Sequence, residues 1–243
     1  MVACCAVYIL RKRFLFYVLG KSGGYSIRAL LGKTVSYGST SAMQQVCLQL
    51  GKLIIQSVVN TQGVAVMAAF TAVNRVDDFA YTPQQNIGHA MTTFLAQNKG
   101  AGHKERMKKG FQTGLLIELV YSIGLFCVIW GLAPQIMTLF AEDGDAQVVS
   151  LGISYLHLIS WMYILPGLTN GVQGFFRGIG DLKVTLYSTF MNMFGRVVAV
   201  FVMIRLLQME FASLAWANMV GWIVMLLFEV PLLVKSMRNG ECG

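Results

Sequence analysis

Long apolar stretches alternate with short polar links along most of the chain. Six stretches are long enough to cross a bilayer as helices, because a hydrocarbon core of about 30 Å needs about 20 helical residues. They run over residues 35–59, 64–96, 111–140, 148–176, 184–207 and 212–234. The links between them are 60–63, 97–110, 141–147, 178–183 and 208–211. This pattern predicts an all-α integral membrane protein built as a bundle of six transmembrane helices.

The composition agrees with a bilayer as the surroundings of the protein. Hydrophobic residues make up 56% of the chain and charged residues only 12%, whereas soluble domains carry about 25% charged residues. The net charge of +8 lies in clusters between the apolar stretches, without a nucleic-acid-binding motif, so we expect no nucleic acid as a partner. The five cysteines lack the spacing of metal ligands, and we predict no metal site.

The charges of the links indicate the orientation of the helices. Positive residues concentrate on the cytoplasmic side of membrane proteins. The link 97–110 is strongly basic, whereas 60–63 is uncharged and 141–147 contains Glu142, Asp143 and Asp145. Arg205, near the external end of the fifth stretch, is an exception. The pattern predicts a multi-pass protein of the cytoplasmic membrane with its carboxy terminus in the cytoplasm.

The amino-terminal residues suggest a chain that continues upstream. Residues 2–10 are apolar but too few to cross a bilayer, and Arg11-Lys12-Arg13 follows directly. We therefore interpret 1–13 as the end of a truncated membrane helix and 14–33 as a cytoplasmic linker. Residues 34–235 would form a six-helix lobe, and 236–243 a cytoplasmic tail.

Polar residues align along one face of the first predicted helix. Steps of three and four residues separate the members of this stripe, which are Ser41, Gln45, Gln49, Lys52 and Gln56. Polar side chains are costly in lipid, so they face a bundle interior or a water-filled cavity. We favour a cavity wall, because Lys52 needs water or a counter-charge; hydrogen bonding between helices is the alternative.

The second predicted helix carries a comparable polar stripe and two adjacent acids. The stripe comprises Asn74, Asp78, Tyr81, Gln85, Gly88 and Thr92, and Pro83 predicts a kink near Tyr81. Asp78 lies three residues from Arg75 and can pair with it. Asp77 has no local partner and could meet Lys52 or Arg196, which makes it a candidate relay for protons or sodium ions. A structural role is the alternative for both acids.

Further polar positions lie in the later helices. Glu118 either snorkels toward Lys108 and Lys109 or takes part in ion coupling. Glu229 is expected to snorkel toward Lys235. Pro166-Gly167 interrupts the fourth stretch, and Asn170 and Gln173 follow it; the sequence leaves open whether this is a hinge or a binding site.

Enzyme motifs are missing from the sequence, which contains neither a nucleotide-binding loop nor a nucleophile elbow. We therefore predict that the protein is not an enzyme and needs no cofactor. Any transport would draw on an ion gradient.

Several segments resemble the multidrug and toxic compound extrusion (MATE) family. Two of these segments are the run Ala68-Ala69-Phe70-Thr71-Ala72-Val73-Asn74-Arg75-Val76-Asp77-Asp78 and the element Gln97-Asn98-Lys99-Gly100-Ala101-Gly102. The segments Gly174-Phe175-Phe176-Arg177-Gly178-Ile179-Gly180-Asp181 and Gly221-Trp222 are similar to later parts of the family pattern. The resemblance as a whole covers residues 30–234.

The resemblance implies a fold and a function. Family members have twelve helices in two six-helix lobes, and this chain resembles the carboxy-terminal lobe, with the missing amino-terminal half as its partner. Small cationic or amphipathic compounds would be exported in exchange for H⁺ or Na⁺ through alternating access. Two alternatives remain, a lipid-linked saccharide flippase of the wider superfamily, suggested by Lys52, Arg75 and Arg196, and a non-functional remnant.

The resemblance also suggests which residues act. A subgroup of the family has an acid in the first and the fourth helix of this lobe, but here the first position falls at or near Leu48 and the fourth helix has no acid. The coupling acid is therefore expected in the missing half, with Asp77, Asp78 and Glu118 as local candidates. The predicted cavity-lining residues are Gln45, Gln49, Lys52, Gln56, Asn74, Tyr81, Gln85, Asn170 and Gln173.

Overall fold

The computed structural model describes residues 27–140, 146–207 and 211–238, and this part of the chain is helical without strands. The α-helices are α1 (Ile27–Val59), α2 (Val64–Gly100), α3 (Lys104–Phe140), α4 (Ala146–Ser160), α5 (Ile164–Ile179), α6 (Leu182–Leu207) and α7 (Ala212–Arg238). A single 3₁₀ turn, Trp161–Tyr163, connects α4 to α5. The predicted all-α class is confirmed.

The predicted apolar stretches coincide with these helices. The fourth stretch corresponds to α4, the 3₁₀ turn and α5, so it is interrupted at Trp161–Tyr163, shortly before the predicted Pro166-Gly167, which lies within α5. Helix α1 begins at Ile27, inside the segment predicted as a linker. Helix α2 continues through Pro83. The predicted truncated helix 1–13, most of the linker, the acidic residues at 142–145, the Arg205 side chain and the end of the tail lie outside the described residues.

Four segments of the described chain are long and apolar enough to cross a membrane. They are Lys104–Leu139, Ala146–Ile179, Leu182–Ile204 and Ala212–Arg238. The protein is therefore a multi-pass membrane protein. Helices α1 and α2 are also long enough to cross a bilayer, at 33 and 37 residues, but their polar stripes lower their hydropathy. Length and composition thus account for four of the six predicted spans.

The chain divides between Ser39 and Thr40 into two compact units. The described part of the first unit is the beginning of α1, residues 27–39. The second unit contains two apolar clusters. The larger one includes Tyr155, Ile159, Tyr163 and Trp222. The smaller one includes Leu95, Phe111, Phe175 and Phe176.

Glycines end α2 and α5 in the same way. Gly102 has φ 73° and Gly180 has φ 87°, a left-handed conformation that glycine adopts without steric cost. After Gly180, the Asp181 N–H donates to Phe176 C=O at 2.9 Å, and after Gly102 the His103 N–H donates to Asn98 C=O at 2.9 Å. This is the Schellman arrangement that closes a helix and turns the chain. Two of the family-like segments therefore end in helix-terminating turns.

Small residues allow α2 and α5 to approach closely. A Cβ atom added at Gly174 would lie 2.7 Å from the backbone oxygen of Gly88, and one at Gly178 would lie 3.1 Å from that of Thr92. The Thr92 hydroxyl also donates to Gly174 C=O at 3.2 Å. Backbones packed this closely form a firm pair of helices.

Candidate functional site

Asp77 is a buried acid surrounded by aromatic and basic side chains. The Tyr163 hydroxyl, from the 3₁₀ turn, donates a hydrogen bond to its carboxylate. Arg196 and Lys52 attract the same carboxylate electrostatically. The ring of Tyr81 stands edge-on to that of Tyr163, with 5.6 Å between centroids. We call Asp77, Tyr81, Tyr163 and Arg196 the Asp77 cluster. Its members come from α2, the 3₁₀ turn and α6.

The Arg196 side chain packs over Gly221 on its way to Asp77. Its alkyl stem lies directly over Gly221 of α7, at a place that any side chain would fill. The electrostatic neighbours of its guanidinium are Tyr81, Tyr155 and Asp77. The sequence suggested Arg196 and Lys52 as partners of Asp77 but not Tyr163, which makes the direct hydrogen bond.

A second buried group surrounds Glu118 on α3. The Gln84 amide nitrogen donates to Ser122 Oγ and to Tyr163 C=O, both at 3.0 Å. Ser122 Oγ donates to Glu118 C=O at 2.7 Å. The side chains of Gln84, Glu118 and Ser122 are all fully buried. We call them, with Gly167, the Glu118 cluster; it joins α2, α3 and the start of α5.

A third buried group centres on Gln173 and connects α1, α5 and α6. The Gln44 amide donates to Thr189 Oγ1 at 2.8 Å and to Gln173 Oε1 at 3.4 Å. The Arg177 guanidinium donates to Gln173 Oε1 at 2.6 Å. Glu229, fully buried on α7, is attracted by Arg177. Gln173, predicted to line a cavity, is thus enclosed by polar side chains of the same chain.

The two glutamates expected to snorkel do not do so. Glu118 and Glu229 both have 0% exposure, so neither carboxylate extends along the surface toward the lysines near the helix ends. That interpretation was wrong because it paired each glutamate with the nearest lysines along the chain, whereas the facing helices cannot be identified from spacing. Both side chains instead point into the bundle.

The polar stripe of α1 lies on the outer surface of this chain. Gln45, Gln49 and Lys52 are exposed, whereas Gln56 is half-buried and donates to Asn60 Oδ1 at 2.9 Å. The predicted cavity residues of the other helices divide in the same way. Gln85 is exposed, and Asn74, Tyr81 and Asn170 are half-buried. Asp78 is exposed, in contrast to its buried neighbour Asp77.

The family-like loops meet at one end of the bundle. The Lys99 ammonium donates to Ile179 C=O at 2.6 Å, so a side chain from the last turn of α2 caps the last turn of α5. The described residues contain no group of three or more His, Cys, Asp and Glu side chains placed to hold a metal ion.

Sequence comparison identifies the family of this chain. The protein-family model described as MatE matches residues 41–203, more than half of the chain. The chain belongs to the MatE family. MatE proteins are transporters rather than enzymes and need no cofactor. The resemblance seen in the loops and in α2 is thereby confirmed.

Individual MatE relatives are longer than this chain. It is 25% identical to the "Probable multidrug resistance protein YpnP" of Bacillus subtilis (strain 168), and the match covers 74% of this chain but 39% of that protein. A solved MATE in complex with MaL6 superposes with a TM-score of 0.81 at 20% identity, over 90% of this chain and 49% of that one. The MATE transporter ClbM in complex with Rb⁺ gives 0.78 at 22% identity, over 90% and 49%. At these identities, the solved structures establish the fold.

Proposed function

We propose that this chain is the carboxy-terminal six-helix lobe of a secondary active exporter. The exporter would remove cationic or amphipathic drugs and toxic compounds from the cytoplasm in exchange for H⁺ or Na⁺. Membership of the MatE family over residues 41–203 carries the proposal. The name of the YpnP relative supports multidrug compounds as the cargo.

The lobe would lie in the cytoplasmic membrane with its carboxy terminus inside. Helices α1, α2, α3, α6 and α7, with the α4–α5 pair as one span, make six crossings. The chain spans about half the length of the solved relatives, which supports a partner of comparable size, an amino-terminal six-helix half. The two lobes would rock against each other and expose a cavity alternately to each side.

The cavity of this transporter would be lined by the outward polar face of α1. Gln45, Gln49 and Lys52 are exposed in this chain, so they are available to a cavity shared with the partner half. Polar groups are costly toward lipid, which favours a water-filled surface over a lipid-facing one. Gln85 and Asn170 would extend that surface on α2 and α5.

Asp77 is the coupling acid that the geometry of this lobe favours. It is buried, bonded to Tyr163 and attracted by Arg196. A proton or Na⁺ bound to its carboxylate would weaken its attraction to Arg196. The binding of an ion can then bias one conformation over another, and coupling equals the difference in affinity between the states. The solved complex of ClbM with Rb⁺ supports cation binding in this fold.

A lipid-linked saccharide flippase is not favoured. Such a protein needs a strongly cationic cavity to hold pyrophosphate, but Arg196 is drawn to Asp77 within the bundle. The YpnP relative is named as a multidrug resistance protein.

An efflux assay tests the proposal. The complete transporter, with both halves, is expressed in cells that lack their own exporters, and accumulation of a fluorescent cationic dye is measured. We expect lower accumulation, which collapse of the ion gradient abolishes. Unchanged accumulation across a broad panel of dyes would contradict the proposed function.

The adjacent aspartates provide a matched pair for the coupling residue. Asp77→Asn removes the buried charge and should abolish gradient-dependent efflux, whereas Asp78→Asn alters an exposed side chain and should retain most of it. The reverse result would assign coupling to Asp78. Full activity of both variants, at equal expression, would mean that the coupling acid does not lie on α2.

A further inference from the structure

Glu118 is a buried acid whose carboxyl group has no partner among the described residues. Its exposure is 0%, and neither carboxyl oxygen accepts a hydrogen bond from them. No charged group of the described helices offsets its burial. An ionised carboxylate buried without a partner costs many kcal/mol, so such a group takes up a proton instead. The burial of Glu118 without a partner therefore favours the neutral carboxylic acid in the conformation described.

Gln84 provides an acceptor for that proton. Its amide nitrogen is committed to Tyr163 C=O at 3.0 Å and to Ser122 Oγ at 3.0 Å. Because a carbonyl oxygen only accepts hydrogen bonds, this contact fixes which end of the amide is nitrogen. The Gln84 carbonyl oxygen is buried and receives no hydrogen bond from the described residues. It lacks a donor, and a neutral carboxyl group has one to give.

The two groups border the same point of α5. A Cβ atom placed on Gly167 would lie 3.3 Å from the Gln84 amide nitrogen and 3.4 Å from Glu118 Oε2. It would also lie 2.8 Å from Ser122 Oγ. Glycine at this position leaves space for both side chains. The Glu118 cluster thus lies beside the 3₁₀ turn between α4 and α5, where the Tyr163 backbone carbonyl accepts a hydrogen bond from Gln84.

The titratable groups around Glu118 are few. On its own helix, Tyr121 is the titratable neighbour of Glu118. On the facing 3₁₀ turn, Tyr163 lies beside Gln84 through its carbonyl, and its hydroxyl is bound to Asp77 of α2. Tyr163 therefore connects the Glu118 cluster to the Asp77 cluster, one through its backbone and the other through its side chain.

We propose that Glu118 is a proton-binding site separate from Asp77, and that it holds its proton against the Gln84 side-chain carbonyl in the conformation described. When a conformational change admits water, the O–H bond of Glu118 breaks and the proton passes to a water molecule, which leaves a carboxylate. The proposal rests on the proposed function in treating the lobe as part of an ion-coupled transporter. Its test reads the protonation of Glu118 and not transport.

Infrared difference spectroscopy of the purified transporter in lipid tests this site. A neutral carboxyl group gives a C=O stretching band that shifts in D₂O, and a carboxylate does not. We expect the spectrum of the wild type minus Glu118→Gln to contain such a band at mildly acid to neutral pH. Asp77 and Glu229 cancel in this difference. Glu105→Gln, which alters an exposed acid of the same helix, should leave the band unchanged.

A second variant keeps the acid and removes its acceptor. Gln84→Met retains Glu118, so the band remains measurable even where Glu118→Gln fails to fold. We expect the band to move to higher frequency, because the carboxyl group loses its hydrogen bond to Gln84. An unshifted band in Gln84→Met would contradict the assigned acceptor.

Two further outcomes would overturn the proposal. A difference spectrum without a carboxyl band from mildly acid to alkaline pH would mean that Glu118 carries no proton. Loss of the band when Na⁺ replaces choline at constant pH and ionic strength would make Na⁺ the ligand instead. Failure of dye efflux with the band present would count against the proposed function alone.

Discussion

At the scale of single residues, Gln44 and Gln45 have opposite surroundings although they are neighbours in sequence. Gln44 is buried and donates to Thr189 and Gln173, while Gln45 is exposed. Gln44→Leu should lower the free energy of unfolding by about 1–3 kcal/mol, because it leaves buried polar atoms unpaired. Gln45→Leu should change it little. Denaturant titration of the transporter in detergent, followed by circular dichroism, measures both.

Equal losses of stability in the two variants would contradict the burial of Gln44. Efflux gives an independent reading of the same pair. If the exposed face of α1 lines the cavity, Gln45→Leu should alter the apparent affinity for the dye while leaving stability nearly unchanged.

The sequence indicated the outer face of each polar helix more clearly than the inner one. Gln44 shares its face with Gly51, Ile55 and Val59, which are all buried. This series of small and apolar positions is the signal that could have identified it. Gln84 lies seven residues after Asp77, on the same buried face of α2. Tyr163 could not be found from spacing, because its contact with Asp77 joins helices far apart in sequence.

At the scale of helices, the close contact of α2 with α5 depends on glycine. Gly174→Ala would place a Cβ atom 2.7 Å from the backbone oxygen of Gly88, and backbone atoms move at high cost. We expect a loss of about 1–3 kcal/mol in the free energy of unfolding from overpacking. Gly131→Ala is the matched control, since a Cβ there has no neighbour within 4 Å. It should be neutral or stabilise α3 by up to about 1 kcal/mol.

The same denaturant titration measures both alanine variants. A Gly174→Ala protein as stable as wild type would mean that the two helices separate readily. The helices themselves were largely predictable, because apolar length and helix-ending glycines are local signals. Which helices pack together was not, because small residues such as Gly174 and Gly131 look alike in sequence while only one faces another backbone.

At the scale of the whole molecule, α2 is the test of the predicted topology. It has 37 residues, about 55 Å at 1.5 Å per residue, but its polar residues leave it outside the four segments that are apolar enough to cross a membrane. In a cysteine-free complete transporter, Thr61→Cys should react in intact cells with a membrane-impermeant maleimide. Arg106→Cys should react only after the cells are permeabilised.

Labelling of both positions from outside would remove α2 from the membrane. The reversed pattern would invert the orientation predicted from the basic links. The charges of the links predict the orientation of the helices directly from the sequence. The partner lobe and the substrate could not be predicted in this way, because they depend on surfaces that this chain would form together with another half.

The contact between Lys99 and Ile179 has a mechanical consequence. Together with the glycine packing against α2, this contact anchors α5. Bending at Trp161–Tyr163 would therefore move α4 rather than α5. That segment has 15 residues and would form a lever arm about 22 Å long. A rotation of about 10° at the 3₁₀ turn would displace its far end by about 4 Å. A small rearrangement beside Asp77 and Glu118 would thus become a large displacement at the opposite membrane surface.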